Sequence, residues 1–266
     1  MELRCPICAA PLEQTDKTFR CGNGHSFDTA RQGYVNLLPV QNKRSLNPGD
    51  TREQVLSRRA FLEAGFYAPI AQALCDAARE LNCAGPILDV GCGEGWYSAQ
   101  LAATLDAPLV GLDISKEAVR CAAAKYKNAQ WICGSAALLP VADGSVGLVT
   151  SLFALTVLEE FKRVLRPEGY YFQVLAQEDH LLGLKSIIYP SLTHKEKNTA
   201  PELPGFKLLR QIPIRFTFTV EGQQVQNLLS MTPHVYRISK EGAQRLAATD
   251  KLTDTASAVL NIYAPA

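Results

Sequence analysis

The hydrophobic pattern changes character twice along the chain. Over residues 1–40 apolar positions are scattered among Cys, Gly, Asn and Thr, which predicts short strands and turns with too few apolar side chains for a core of their own. From Gln41 to Asp50 the run of Asn, Lys, Arg, Ser, Pro and Gly reads as a basic linker. Thr51-Arg52-Glu53-Gln54 has capping-box spacing, with Thr51 as N-cap and Gln54 reaching back, and Gly65 is placed to end that helix. Ile70, Leu74, Ala77 and Leu81 mark one face of a second helix. After Gly85-Pro86 strand and helix patterns alternate. Strands are predicted at Ile87–Val90, Leu109–Leu112, Ala129–Cys133, Val146–Leu152 and Tyr170–Leu175, with helices at Trp96–Leu105, Lys116–Tyr126 and Leu158–Leu165 between them. That order means α/β with a parallel sheet and crossover helices. Residues 178–190 read as helical and 191–205 as an irregular insertion. A long strand at Leu208–Val220, helices at Gly222–Leu229 and Lys240–Ala248, and a last strand at Ser257–Tyr263 complete the pattern.

Composition narrows the picture. A chain of 266 residues with 47% hydrophobic and 20% charged side chains holds one full-sized core plus an appendage, and is neither disordered, collagen-like nor a coiled coil. The apolar run Gly147–Leu158 stays short of the ~20 residues a membrane span needs, so no membrane partner is expected. The opening MELRCPIC has no apolar signal-peptide core, which points to the cytoplasm and to eight cysteines that are thiols or metal ligands. Net charge is only +1, but it splits into +2 over residues 1–67, −5 over 68–179 and +4 over 180–266. An acidic catalytic centre between polyanion-contacting ends would carry such a split; so would ordinary solvated surface.

Cys5, Cys8, Cys21 and His25 have the form C-x2-C-x12-C-x3-H, two close pairs separated by a hairpin's length of chain. Three thiolates and an imidazole close a tetrahedral shell, which predicts a structural zinc ion (Zn2+) that staples a segment without a core. The alternative is a set of buried thiols beside a chance histidine.

The second motif is Ile87-Leu88-Asp89-Val90-Gly91-Cys92-Gly93-Glu94-Gly95-Trp96-Tyr97, a Gly-x-Gly-x-Gly turn between an apolar strand and a helix. A dinucleotide fingerprint would carry its third glycine one residue later. Asp113 ends the next strand, eighteen residues past Gly95, where a carboxylate can accept both ribose hydroxyls. Together these resemble the nucleoside-binding signature of class I S-adenosylmethionine-dependent methyltransferases. The resemblance implies a Rossmann-like, mostly parallel seven-stranded sheet with helices on both faces. It implies that Gly91, Gly93 and Gly95 pass beneath the methionine part of the cofactor, that Asp89 and Trp96 are also cofactor-binding, that Asp113 holds the ribose, and that Ser135 and Ala136 contact adenine. Phe153-Ala154-Leu155 would then end the fourth strand where substrate and methyl group meet.

The whole chain is similar to one family, the bacterial 23S ribosomal RNA guanine-N1 methyltransferases. The matching residues are CPIC with Cys21 and His25, Gly33 to Val40, Pro48-Gly49-Asp50, Arg58 to Leu62, the glycine loop, Leu184-Lys185, Ile188-Tyr189, and Met231-Thr232-Pro233. The resemblance implies S-adenosyl-L-methionine and zinc as bound groups, a hairpin of large-subunit rRNA as substrate, a homodimer, and Tyr67 and His180 near the cofactor. It divides the chain into a zinc module (1–40), a basic linker and helix (41–66) and a methyltransferase domain (67–266). One departure is Leu155, where the family usually has proline. Methylation of a small molecule or protein, and RNA binding without catalysis, are the competing readings.

Methyl transfer to a guanine nitrogen needs alignment more than acid–base help, although N1 must still lose its proton. Glu178, Asp179 and His180, just past the fifth strand, are the candidates for receiving it; a solvated helix start is the alternative. The base must leave its pair, and Trp96, Tyr97 or Phe153 can stack on it or simply pack. Lys43, Arg44, Arg52, Arg58 and Arg59 are placed to meet phosphates or to form a solvated face. His194 and His234 read as surface or packing residues.

Overall fold

A computed structural model describes residues 1–39, 48–192 and 197–266; Val40, Lys43, Arg44 and His194 lie outside the described residues. At the N-terminus β1 (Leu3–Arg4), β2 (Pro11–Thr15), β3 (Thr18–Cys21) and β4 (Ser26–Asp28) form an antiparallel sheet in that order. The chain then leaves it. β5 (Tyr34–Asn36) pairs in parallel with β8 (Gln130–Cys133), Tyr34 opposite Trp131 and Asn36 opposite Cys133.

The main sheet adds β6 (Ile87–Val90), β7 (Leu109–Asp113), β9 (Val146–Leu152), β10 (Leu165–Ala176), β11 (Phe206–Glu221) and β12 (Lys251–Pro265). Its order is β11-β12-β10-β9-β6-β7-β8-β5. β5 through β10 run parallel and β12 lies antiparallel to β10 and β11. Among the described residues eight strands replace the seven expected, because β5 caps the edge that β8 would otherwise expose. The expected boundary at residue 40 therefore cuts across no gap in the fold: residues 34–36 already belong to the larger sheet.

Helices α1 (Arg52–Glu63), α2 (Ala68–Glu80), α3 (Trp96–Leu105), α4 (Lys116–Lys125), α5 (Leu158–Val164), α6 (Leu182–Ile188), α7 (Gln223–Ser230) and α8 (Lys240–Ala247) cover the sheet, with a 3-10 turn at Pro233–Tyr236. The capping box at α1 is complete: Gln54 N–H donates to Thr51 Oγ1 at 3.3 Å and Thr51 N–H to Gln54 Oε1 at 2.9 Å. Gly65 takes φ +82° just after the helix ends. α6 starts later than expected, because Gln177 to His180 form the lead-in to its first turn. β10 begins at Leu165, with its pairing to β9 interrupted between Leu165 and Tyr170 around the Pro167-Glu168-Gly169 turn.

Two buried clusters flank the sheet. One gathers α1, α2, α6 and α7 around Phe61, Leu74, Trp131 and Phe172. The other joins Leu3, Leu12 and Phe19 of the small sheet to Val35, Leu88, Ile132 and Val141. The zinc module thus uses the larger domain's core: Arg4 N–H donates to Pro140 O at 3.0 Å and Ala142 N–H to Glu2 O at 3.1 Å. Each such buried Leu or Phe contributes about 1.5–3 kcal/mol, so the appendage is held by packing as well as by its ligands.

Candidate metal centre and cofactor cleft

The four predicted metal ligands converge. Cys5 and Cys8 sit in the turn after β1, closed by Ala9 N–H to Cys5 O at 2.8 Å; Cys21 ends β3, and Gly24, at φ +82°, turns the chain so that His25 faces back. Cys8 Sγ lies 3.7 Å from Cys21 Sγ, and His25 Nδ1 lies 3.4 Å from Cys21 Sγ and 3.6 Å from Cys5 Sγ. All four ligand atoms fall within 4.8 Å of one another. A tetrahedron built on Zn–S bonds of about 2.3 Å has S···S edges of roughly 3.8 Å, so the spacing fits zinc without rearrangement. Four protein ligands leave no open position, which makes the site structural.

The second site is a cleft of about 1920 Å³ at the carboxyl ends of the parallel strands. It opens where strand order reverses on either side of β6, the position where open α/β sheets bind ligands. Pockets for one small molecule usually span ~300–1,000 Å³, so the space takes a nucleoside cofactor and a second nucleotide-sized group together.

Gly91, at φ +81°, passes so close to Ala154 that a Cβ on it would lie 2.6 Å from the Ala154 Cβ. Asp113, from the end of β7, accepts Gly93 N–H at 2.9 Å on one carboxylate oxygen and Ser115 N–H at 2.8 Å on the other. It therefore ties the loop to the neighbouring strand, and each oxygen keeps a further lone pair for a ligand hydroxyl. Asp89 faces inward: it accepts from Thr150 Oγ1 at 2.8 Å and from Ser98 Oγ, and burial pushes its carboxyl up to about 6. Ser135 and Ala136 line the far end.

Tyr67 and His180, 113 residues apart, meet across the cleft at 3.4 Å between Tyr67 Oη and His180 Nε2. His180 Nδ1 accepts Ser257 N–H at 3.1 Å. That bond requires a bare Nδ1, so the neutral ring carries its proton on Nε2 and donates it to Tyr67. Burial, with Lys185 adding to it, holds His180 at about 4, so it stays neutral near pH 7.

Several predicted residues stand elsewhere. Gly95 and Trp96 do not line the cleft. Gly95 is glycine for packing: at φ +81°, its Cβ would lie 2.4 Å from the ring of Trp131, the same ring that excludes a Cβ at Gly111. Trp96 packs edge-on against Tyr97 at 4.9 Å. Asp179 turns outward to pair with Arg215. Glu178 lines the cleft. Of the aromatic candidates for stacking, Tyr97 is half-buried with its hydroxyl sealed from solvent, whereas Phe153 is 42% exposed into the cleft and held at φ +54°. Leu155 beside it is 78% exposed.

The sequence reading missed the cluster formed by Asp50, Arg58, Glu94 and Tyr97. Arg58, expected to meet phosphates, turns inward and pairs with Asp50 at 2.5 Å. Glu94 is 4% exposed, and burial pushes its carboxyl up to about 7. Glu94 Oε2 and Tyr97 Oη are both buried without a hydrogen-bond partner among the described residues. Unsatisfied buried oxygens at a glycine loop are what a polar ligand would complete. The acid and aromatic between and after the loop glycines were the available signal.

Comparison with known proteins agrees with both sites. The family description "RlmA, N-terminal", a zinc ribbon, matches residues 3–46, and "Methyltransferase domain" matches residues 88–173. A 23S rRNA (guanine(748)-N(1))-methyltransferase of Streptomyces fradiae is 38% identical over 87% of this chain and 84% of its own length. A Micromonospora griseorubida protein, provisionally named for 23S rRNA guanine-N1 methylation, is 36% identical over 99% of this chain and 97% of its own. By contrast, a malonyl-[acyl-carrier protein] O-methyltransferase of Hahella chejuensis is 35% identical over only 41% of this chain and 42% of its own. The zinc-ribbon match covers all four metal ligands, and similarity to the second relative spans nearly the whole chain, whereas similarity to the third does not.

Proposed function

This chain belongs to the family of 23S rRNA guanine-N1 methyltransferases, and from that premise we propose that it methylates N1 of a guanine in a hairpin of 23S rRNA. The observation that carries the reading is a single cleft with two unlike parts: a buried, acid-lined glycine loop and, beyond it, an open part into which Phe153 projects.

S-adenosylmethionine supplies, when bound, a methyl group on a cationic sulfonium. Asp113 is placed to accept the ribose hydroxyls, and Ser135 and Ala136 to flank adenine. The orphaned oxygens of Glu94 and Tyr97 suit the polar tail, while Gly91 and Gly93 let the loop backbone come close. Tyr67 and His180 form the wall between cofactor and substrate. His180 does not serve as the base in this reading, since Nε2 carries the proton and Nδ1 is occupied. Asp179 is spent on Arg215. Glu178 lines the cleft, and in this reading it receives the N1 proton, directly or through water. Phe153 offers its exposed face to a guanine swung out of its pair.

The finer expectations rest on the family resemblance. We read residues 1–40 as the RNA-guiding zinc module, 41–66 as its linker and helix, and 67–266 as the methyl-transfer domain, in a homodimer that works in the cytoplasm. No helix among the described residues is long and apolar enough to cross a membrane.

The test is primer extension on 23S rRNA from a strain lacking the gene, incubated with protein and cofactor. N1 donates the central hydrogen bond of a guanine–cytosine pair, so a new reverse-transcriptase stop one nucleotide before a single guanine is expected. Methyl transfer without a stop would show N1 to be the wrong atom; salt-sensitive RNA binding without transfer would favour binding alone.

A further inference from the structure

Charged side chains in the cleft are sorted by wall. Around the glycine loop and β7 stand Asp50, Asp89, Glu94 and Asp113, with Arg58 among them. Around the end of β10, α6 and the 3-10 turn stand Lys185, Lys197 and Arg237, together with His180, His234 and Glu178. β10 and β7 are separated by β9 and β6, three strand spacings or about 14 Å. At that distance the two groups do not neutralise each other.

The basic wall is built by the end of one strand. Lys197 Nζ donates to Gln177 O at 3.2 Å and Ala176 O at 3.5 Å, and Lys185 Nζ donates to Glu178 O at 3.4 Å. Three consecutive carbonyls thus bring two ammonium groups to one place. Neither forms an ion pair among the described residues. Burial, and then Lys197, hold Lys185 below the ordinary lysine range, with Asp254 and Glu178 opposing. Asp254 gives its own oxygens to the amides of Gly183 and Leu184 at 3.0 and 2.7 Å, and so anchors α6. The same cations hold His234 low, after burial: first Lys185, then Arg237 and Lys197. Lys185, Lys197 and Arg237 outnumber Glu178 on this wall, and a further anion between them would relieve their repulsion.

We propose that Lys185, Lys197 and Arg237 bind the phosphates that flank the target guanine and so fix which way the RNA strand crosses the cleft mouth. This rests on the RNA-methylation reading and adds the polarity of the cleft to it. The acidic wall favours a sulfonium and repels phosphate, and the basic wall does the opposite, so cofactor and RNA cannot exchange places. The phosphate contacts position the strand, and the base is left to Phe153 and Glu178.

The experiment compares wild type with the double variant Lys185→Met, Lys197→Met in binding unmethylated 23S rRNA across a series of KCl concentrations. Each phosphate contact on a single strand contributes about 0.7 to the slope of log K against log salt, so the slope should fall in magnitude by about 1.4. KM for RNA should rise about tenfold, as expected for lost charge-assisted contacts, while calorimetric affinity for S-adenosylmethionine stays the same. Lys185→Arg, Lys197→Arg should restore the slope. An unchanged slope in the methionine variant, or loss of cofactor affinity in it, overturns the basic wall. Wild type that binds no RNA overturns the RNA reading itself and the wall with it.

Discussion

The zinc module and the cofactor cleft reach the same end, a fixed set of ligand atoms, by opposite routes. In the module four donors come from residues 5 to 25, and two tight turns bring them to one point. In the cleft Tyr67 meets His180 and Gln54 meets Tyr236 across 113 and 182 residues of chain, and only the finished sheet brings them together. A site made locally tolerates changes elsewhere but fails when one ligand goes. A site made by the fold degrades by degrees, according to how many packing contacts each residue carries.

The sharpest way to break this contrast is at a zinc ligand. Cys21→Ser should abolish near-stoichiometric zinc, because structural zinc contributes ~10–16 kcal/mol of apparent binding energy to the segment it folds. Hydrogen exchange over residues 2–28 should rise to unfolded rates. Affinity for S-adenosylmethionine, measured by calorimetry, should change by less than about 1 kcal/mol, since the two sites share only one face of the sheet. Concurrent loss of cofactor binding would show the module and cleft to be one cooperative unit.

A paired comparison inside the cleft separates ligand contact from packing. Asp113→Ala removes a charged acceptor shared by Gly93 and Ser115 and should weaken cofactor binding by about 2–4 kcal/mol. Gly95→Ala should instead lower stability by about 1–3 kcal/mol, through left-handed strain and the clash with Trp131. In that variant affinity should hold once the protein is folded. Thermal melting read beside calorimetry distinguishes the two, and a reversed outcome would exchange their roles.

The smallest effect expected is a pH dependence. Glu94 has its carboxyl raised to about 7 by burial, so it is largely neutral below that pH and anionic above it. A cationic cofactor favours the anion, and affinity should therefore tighten several-fold as pH rises from about 6 to 8. Glu94→Gln should flatten the profile. The sign for stability is opposite. The folded protein holds this proton more tightly than the unfolded chain does, so without ligand Glu94 costs stability as pH rises from the unfolded carboxylate value through 7. A flat wild-type affinity profile would place the cationic group away from Glu94.

Much of this molecule could be read in advance, and the misses have a common cause. The zinc ligands, the capping box at Thr51, the strand–loop–helix around Gly91 and Asp113 at the end of β7 are local patterns, where neighbouring residues decide the geometry. The packing need for Gly95 was not legible in advance, because a glycine required by a buried indole has the same sequence signature as one required by a ligand. Arg58 was expected outside because a helix pattern shows which face is polar, but not that Asp50 and Glu94 wait on that side.

By itself the sequence determined the element types, the zinc set, the glycine loop with Asp113 at the end of the next strand and, through resemblance, the reaction. Each depends on contacts within about thirty residues or on a motif that fixes its own backbone. Only the tertiary structure decided that β5 joins the larger sheet, that His180 is neutral with its proton toward Tyr67, and that the cleft has an acidic and a basic wall. Those outcomes depend on burial and on charges brought together across the sheet, and neither is a property of any stretch of chain alone.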